Sequence, residues 1–244
     1  MTAELDVTTA TYGPDAKAID IYRPTQAAPA PVVLLWHGVG PDERDVLAPL
    51  AEAAAQRGLL VYVPDWRPDA EDGGRGQLLE SLRFVREHAA SHGGDTDRTV
   101  LAGWSAGASA AISLALASEA VDGWRPSAAV GIAGRYDRPS RITGTIATSA
   151  LSGPALPPRP VWLVHGISDA IVSSSYSVEF HDALREHGWT AHLETPASDH
   201  AGVIMTEYDP QHNRCRPAQA EHARRAGLTT ADILATAASI AIRQ

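Results

Sequence analysis

The sequence predicts a three-layer α/β protein, a mostly parallel central sheet covered by helices on both faces. Short continuous apolar runs (PVVLLW, LLVYVP, TVLAGW, AAVGIAG, VWLVHG) read as strands buried on both sides. Longer amphipathic helical patterns separate these runs, and regular strand–helix alternation builds a parallel sheet. The chain has 244 residues, of which 44% are hydrophobic and 20% charged, so residues 1–244 read as one large domain with a sizeable core.

In chain order, the first strand is expected to start near Leu5. AIDIYRP alternates with period two and stops at Pro24, a strand end, and QAAPAP is a turn. Asp45 to Gln56 is Ala/Leu-rich and stops before Gly58, as a helix does. Leu78, Leu79, Leu82, Val85 and Ala89 fall on one helical face. Ala106 to Ala117 and Val178 to His187 are two more helices, the second closed by Gly188. Ile233, Leu234, Ala237, Ile240 and Ala241 form the apolar stripe of a last helix, with Thr229 or Thr230 as its cap. Two segments depart from the pattern. Residues 135–160 are rich in Pro and Thr and have the length of a short flap. Residues 202–227 are polar, carry His212, His222 and several arginines, and read by default as a surface excursion.

The formal net charge is -9, with no basic cluster to offset it, which argues against a nucleic-acid or anionic-membrane partner. A single cysteine, Cys215, excludes an internal disulfide and fits a reducing compartment. The N-terminal MTAELDVTTATYG has neither the basic nor the apolar part of a signal peptide, and no apolar run reaches the length of a membrane span. The expectation is a cytoplasmic protein acting on a small molecule, with a homodimer left open. No metal or cofactor is expected: His212-x-x-Cys215 has no second ligand pair beside it, and no G-x-G-x-x-G follows a strand.

The informative stretch is VLAGWSAGAS. A strand ends, Ser105 follows within Gly103-Trp104-Ser105-Ala106-Gly107, and a helix of small residues begins. A serine in a strained turn between strand and helix has its hydroxyl held above the sheet edge, at a helix N-terminus that favours negative charge. Larger side chains at the flanking positions would collide with neighbouring elements, so glycine is required there. With 20 glycines in the chain the motif alone is moderate evidence, and its placement adds the rest.

A serine nucleophile needs a base, and the base needs an orienting acid. Asp169 follows VWLVHG and His200 lies in the loop after the next strand, so both open on the edge that carries Ser105. Asp137 is a weaker rival acid. Asp199 is discounted because adjacent residues seldom align for a linear imidazole hydrogen bond. His165, His181, His187 and His192 fall on strands or helices and read as core or surface residues. Oxyanion donors are expected from Ala106, after the nucleophile, and from Gly38 and Val39 in the loop His37-Gly38-Val39-Gly40. Trp104, Tyr136, Trp66, Ile171 and Val172 are candidate apolar pocket residues.

These motifs together resemble the α/β-hydrolase superfamily, and within it the esterases related to hormone-sensitive lipase and kynurenine formamidase. AIDIYRP is similar to the early strand, WHGVG to the HGGG-type oxyanion motif, Asp65-Trp66-Arg67 to the D-Y-R segment, and GGDTDRTVLAGWSAGAS to the G-D-P-x-R strand and nucleophile turn. VHGISDAIV resembles the acid loop and SDHAGV the histidine loop. The resemblance implies a serine carboxylester hydrolase with Ser105 as nucleophile, His200 as base and Asp169 as acid. Val39 replaces the second glycine of HGGG and narrows that wall. Residues 202–227 are longer than the family places between histidine and last helix, and with the first strand expected near Leu5 no large N-terminal cap is expected. An amide, formamide or lactone hydrolase with the same triad, and a non-catalytic scaffold that binds a small ligand, are the alternatives.

Overall fold

The computed structural model describes residues 5–25, 29–117, 121–152 and 157–239. Eight strands form one sheet: β1 (Asp6–Tyr12), β2 (Lys17–Arg23), β3 (Ala30–Trp36), β4 (Leu60–Pro64), β5 (Gly94–Trp104), β6 (Ala128–Ile132), β7 (Val161–Val164) and β8 (Ala191–Glu194). Their order across the sheet is β1-β2-β4-β3-β5-β6-β7-β8. The β1–β2 and β2–β4 pairs are antiparallel, and all the others are parallel. β4, β6 and β7 are buried along their whole length, as their unbroken apolar sequences require.

Helices α1 (Arg44–Ala55) and α6 (Glu221–Ser239) cover one face, where Leu47, Leu50 and Leu234 meet Val33, Val100 and Val130. Helices α2 (Arg75–His88), α3 (Ala106–Leu116) and α5 (Ser175–Glu186) cover the other, burying Leu78, Leu82, Leu114, Phe180 and Leu184. A single turn, α4 (Ala147–Ala150), lies in the Pro/Thr-rich segment. The first part of that segment is tied to the loop before α2: Arg141 donates to the carbonyls of Pro68 (2.9 Å) and Gly73 (3.0 Å), and Arg75 donates to that of Ile142 (2.9 Å). Residues 153–156 of the expected flap lie outside the described residues.

The last helix departs from expectation. It begins at Glu221, not after Thr229 or Thr230. Thr230 is buried within it and donates to the carbonyl of Val203 (2.6 Å), so it braces the preceding loop instead of capping. The charged EHARR turn hides the helix start, because Ala223 is its one buried side chain and no apolar stripe forms. Ile240 and Ala241, assigned to the same stripe, lie outside the described residues.

The polar excursion also resolves into structure. Residues 202–204 form a buried turn, and β9 (Thr206–Asp209) and β10 (Arg214–Pro217) form an antiparallel hairpin before α6. Val203, Ile204 and Thr206 are fully buried, so its first part is core and not surface.

Candidate active site

Ser105 sits between β5 and α3 with φ 55° and ψ −115°, a conformation that L-residues seldom adopt. Such strain costs about 1–3 kcal/mol and persists only where surroundings impose it. Here the flanking glycines permit it. A Cβ on Gly103 would stand 2.2 Å from the backbone of Gly107, and one on Gly107 would stand 2.3 Å from the carbonyl oxygen of Trp36. The Ser105 N–H donates to the carbonyl of Ile132 (2.8 Å), continuing the β5–β6 ladder by one step beyond the strand. Ala106 is the first residue of α3, so its N–H has no acceptor within the helix and belongs to the positive end of the helix dipole.

The sequence-read acid and histidine meet. Nδ1–H of His200 donates to Oδ2 of Asp169 at 2.7 Å, and the Asp169 side chain is fully buried. Because Nδ1 is engaged, Nε2 is the free basic nitrogen of the neutral ring. Burial alone would push the Asp169 carboxyl up. Hydrogen bonds from His165 and His200 and from the Val172 N–H outweigh burial and hold it well below the usual carboxylate range. The acid and histidine loops are pressed together. A Cβ on Gly166 would lie 2.3 Å from the carbonyl oxygen of Ser198. Trp104 fixes the histidine loop by donating from Nε1 to the carbonyl of His200 (2.9 Å), with ring centroids 5.0 Å apart.

The two rival acids are occupied elsewhere. Asp137 forms a two-pronged pair with Arg135 (3.0 and 2.7 Å), and Asp199 accepts the N–H groups of Ala201 and Gly202 through Oδ1. Asp169 does not cap α5; its Oδ1 instead accepts the N–H groups of Ile171 and Val172, each at 2.8 Å, which orients the carboxylate.

His165 has more to it than the sequence reading allowed. It is fully buried, and its Nε2–H is shared between Oδ2 of Asp169 (3.1 Å) and the carbonyl of Val172 (2.9 Å), while the Ser177 hydroxyl donates to Nδ1 (2.7 Å). One carboxylate oxygen thus serves two imidazoles. The signal was present as a histidine four residues before Asp169 and a serine eight after Asp169, with no apolar period to account for either.

On the other side of Ser105, the loop after β3 carries Gly38 and Val39. His37 is fully buried and accepts the Trp66 N–H at Nε2 (3.3 Å), so Nδ1 carries the proton toward the Gly38 carbonyl (3.1 Å). Glu43 accepts the Gly40 N–H (3.0 Å). A Cβ on Gly38 would stand 3.0 Å from the Trp104 ring, which explains glycine at that position. Val39 is 65% exposed, so its side chain points outward at the rim.

The pocket candidates separate. Trp66 and Tyr136 are core residues, Tyr136 stacked on Phe180 at 4.5 Å between centroids. Trp104 is buried as a brace. Val172 contributes its backbone to His165. Ile171 stays exposed beside the site. Cys215 lines the same cavity as His200, and His212 pairs through Nδ1 with Asp209 (2.9 Å). No helix among the described residues is long and apolar enough to cross a membrane.

Neither a protein-family model nor a curated protein matches this chain. Solved structures do. A Klebsiella pneumoniae chain designated a dienelactone hydrolase superposes with TM-score 0.71 and 20% identity, covering 97% of this chain and 100% of its own. Thermogutta terrifontis esterase 2, phosphoramylated by tabun, matches with TM-score 0.70 and 19% identity over 100% of this chain and 98% of its own. The Pyrobaculum calidifontis esterase matches with TM-score 0.69 and 16% identity over 98% and 87%. The chain has the α/β-hydrolase fold.

Proposed function

We propose that the protein is a serine hydrolase that cleaves carboxylic esters of small to medium size through an acyl-enzyme. The observation that carries this reading is the 2.7 Å bond from His200 to the buried Asp169, on the sheet edge where the strained turn holds Ser105. A binding scaffold has no need of a tautomer-locked imidazole beside a strained serine.

In this reading Ser105 Oγ attacks the acyl carbonyl while His200 Nε2 takes its proton. The charge that develops on the carbonyl oxygen meets the N–H groups of Ala106, Val39 and Gly38. The tetrahedral intermediate collapses, the C–O bond to the alcohol breaks, and His200 returns the proton to the leaving oxygen. Water repeats the sequence on the acyl-serine, with His200 again as base, and frees the acid. Ionised Asp169 stabilises the imidazolium in both halves. That the structurally similar chains are esterases and a dienelactone hydrolase supports this class of reaction. The same groups also suit a lactone, amide or formamide.

The test is a panel of esters of increasing acyl length, with a lactone and N-formylkynurenine included. Ser105→Ala should lower kcat by about 10⁶-fold, the size of effect that removal of a triad nucleophile produces. It should also abolish labelling by a fluorophosphonate probe. Labelling that persists in Ser105→Ala, or cleavage of the lactone or formamide in preference to every ester, overturns the assignment to esters.

A further inference from the structure

A cavity of about 340 Å³ opens beside His200. Ala170 and Ile171 of the acid loop, His200 and Ala201 of the histidine loop, and Tyr208 and Cys215 of the hairpin line it. The hairpin is built to supply this wall. Tyr208 and Cys215 are directly paired across β9 and β10, so their side chains share one face. The flanking pairs, Glu207 with Arg216 and Asp209 with Arg214, present charge on the opposite face. The hairpin therefore alternates an apolar face toward the cavity with an ionic face away from it.

The hairpin is held in place at several points. Arg214 forms an ion pair with Asp45 and donates to the carbonyl of Asp42 (2.6 Å), which anchors the hairpin to the start of α1, just beyond the Gly38–Val39 loop. The Tyr208 hydroxyl donates to Asn213 (2.6 Å) across the turn, and Glu207 pairs with Arg216 (3.0 Å). Burial pushes the Cys215 thiol up, so it serves here as a neutral, apolar group. Ile171 is 77% exposed and Tyr208 56% exposed, an uneconomical placement for large side chains unless something apolar covers them.

We infer that this cavity is the subsite for the leaving alcohol of the ester, and that the hairpin sets its size. The inference rests on the triad reading given above. The carbonyl oxygen of a bound ester is committed to the N–H groups near Gly38 and Ala106, whereas the leaving oxygen must lie at His200 Nε2 to receive its proton. The chain attached to that oxygen then enters the space bordered by the imidazole. The volume is at the lower end for small-molecule pockets, which suits a medium-sized uncharged alcohol such as a benzyl or cyclohexyl group. Asp199 at the edge disfavours an anionic one.

The test uses two ester series on the intact protein. One holds the acetyl group constant and changes the alcohol from ethyl to benzyl. The other holds a methyl alcohol constant and lengthens the acid. Tyr208→Ala and Ile171→Trp alter the cavity from two different elements, and Ile171 is exposed enough to accept a larger ring. Each variant should change the benzyl-to-ethyl ratio of kcat/KM by about tenfold, the effect that pocket contacts have on apolar groups, with the narrowing variant lowering it. The ratio across the acid series should stay as in the wild type. Ratios that shift in the acid series, or in neither series, overturn the alcohol subsite while leaving the triad reading intact. A wild-type protein that cleaves no ester and takes no fluorophosphonate label takes down both.

Discussion

Oδ2 of Asp169 accepts from His200 at 2.7 Å and from His165 at 3.1 Å, so the charge that faces His200 is shared with a second ring. The partners of His165 are Ser177, Asp169 and the Val172 carbonyl, so in the proposed reading it positions Asp169. His165→Leu removes one of the donors that hold the Asp169 carboxylate in place, so His200 is oriented less well. Turnover should fall about tenfold with KM little changed, in line with the loss of one hydrogen bond to a charged group. His165→Gln, which keeps an N–H donor, should bring kcat back toward wild type. A kcat that His165→Leu leaves unchanged, or that His165→Gln fails to restore, reduces His165 to packing. Stability has a separate sign. The native Asp169 carboxyl lies below its unfolded value, so its contribution is present above the ordinary carboxylate range, near about 3.9, and fades as pH falls through that range toward the native value. The gap in urea midpoint between wild type and Asp169→Asn should therefore be widest near neutrality and close on acidification. A gap that is constant from pH 7 to pH 3 would remove the linkage.

Among the elements, what the sequence disclosed follows from how each is buried. β4, β6 and β7 lie inside the sheet and show as unbroken apolar runs. α1 and α2 show as stripes because one face of each meets the sheet. The turn around Ser105 was legible because two glycines in fixed positions answer to two backbone collisions, at Gly107 and at Trp36. The β9–β10 hairpin was not legible. Each strand has four residues and turns one side chain, Tyr208 or Cys215, toward the cavity, so no period of two accumulates. The start of α6 was hidden for a related reason. Gly227 lies inside the helix where Met205 packs, a Cβ there would stand 1.9 Å from Met205 Cγ, and in sequence it reads as a helix breaker.

Over the whole molecule, the chemistry-bearing residues gather along one sheet edge because β5, β7 and β8 run parallel and each ends in a loop on that edge. Position relative to strands was enough to foresee that Asp169 and His200 meet and that Ser105 stands in a strained turn. It was not enough to separate lining from core. Trp104 ends β5, and Trp66 and Tyr136 come two and four residues after β4 and β6, yet all three are buried, whereas Ile171 lies two residues beyond Asp169 and remains outside. His165 is a core residue, one of the two places the sequence allowed it, but its bond to Asp169 leaves no periodic trace.

The anchor between Arg214 and Asp45 has a consequence of its own. Asp45 is 68% exposed, so this tether is open to dissolved ions, while the Asp169–His200 bond is sealed from them. Surface ion pairs weaken once the screening length falls to about 3 Å near 1 M salt, and buried ones change little. Preference and chemistry in this protein should accordingly respond differently to ionic strength. As sodium chloride rises toward about 1 M, the benzyl-to-ethyl acetate ratio should drift toward that of Tyr208→Ala, while the rate of fluorophosphonate labelling at Ser105 holds. A ratio indifferent to salt would mean that backbone contacts alone keep the hairpin seated. If the drift occurs, a cell's ionic composition becomes a dial on which alcohols this protein releases, set by one arginine on its surface.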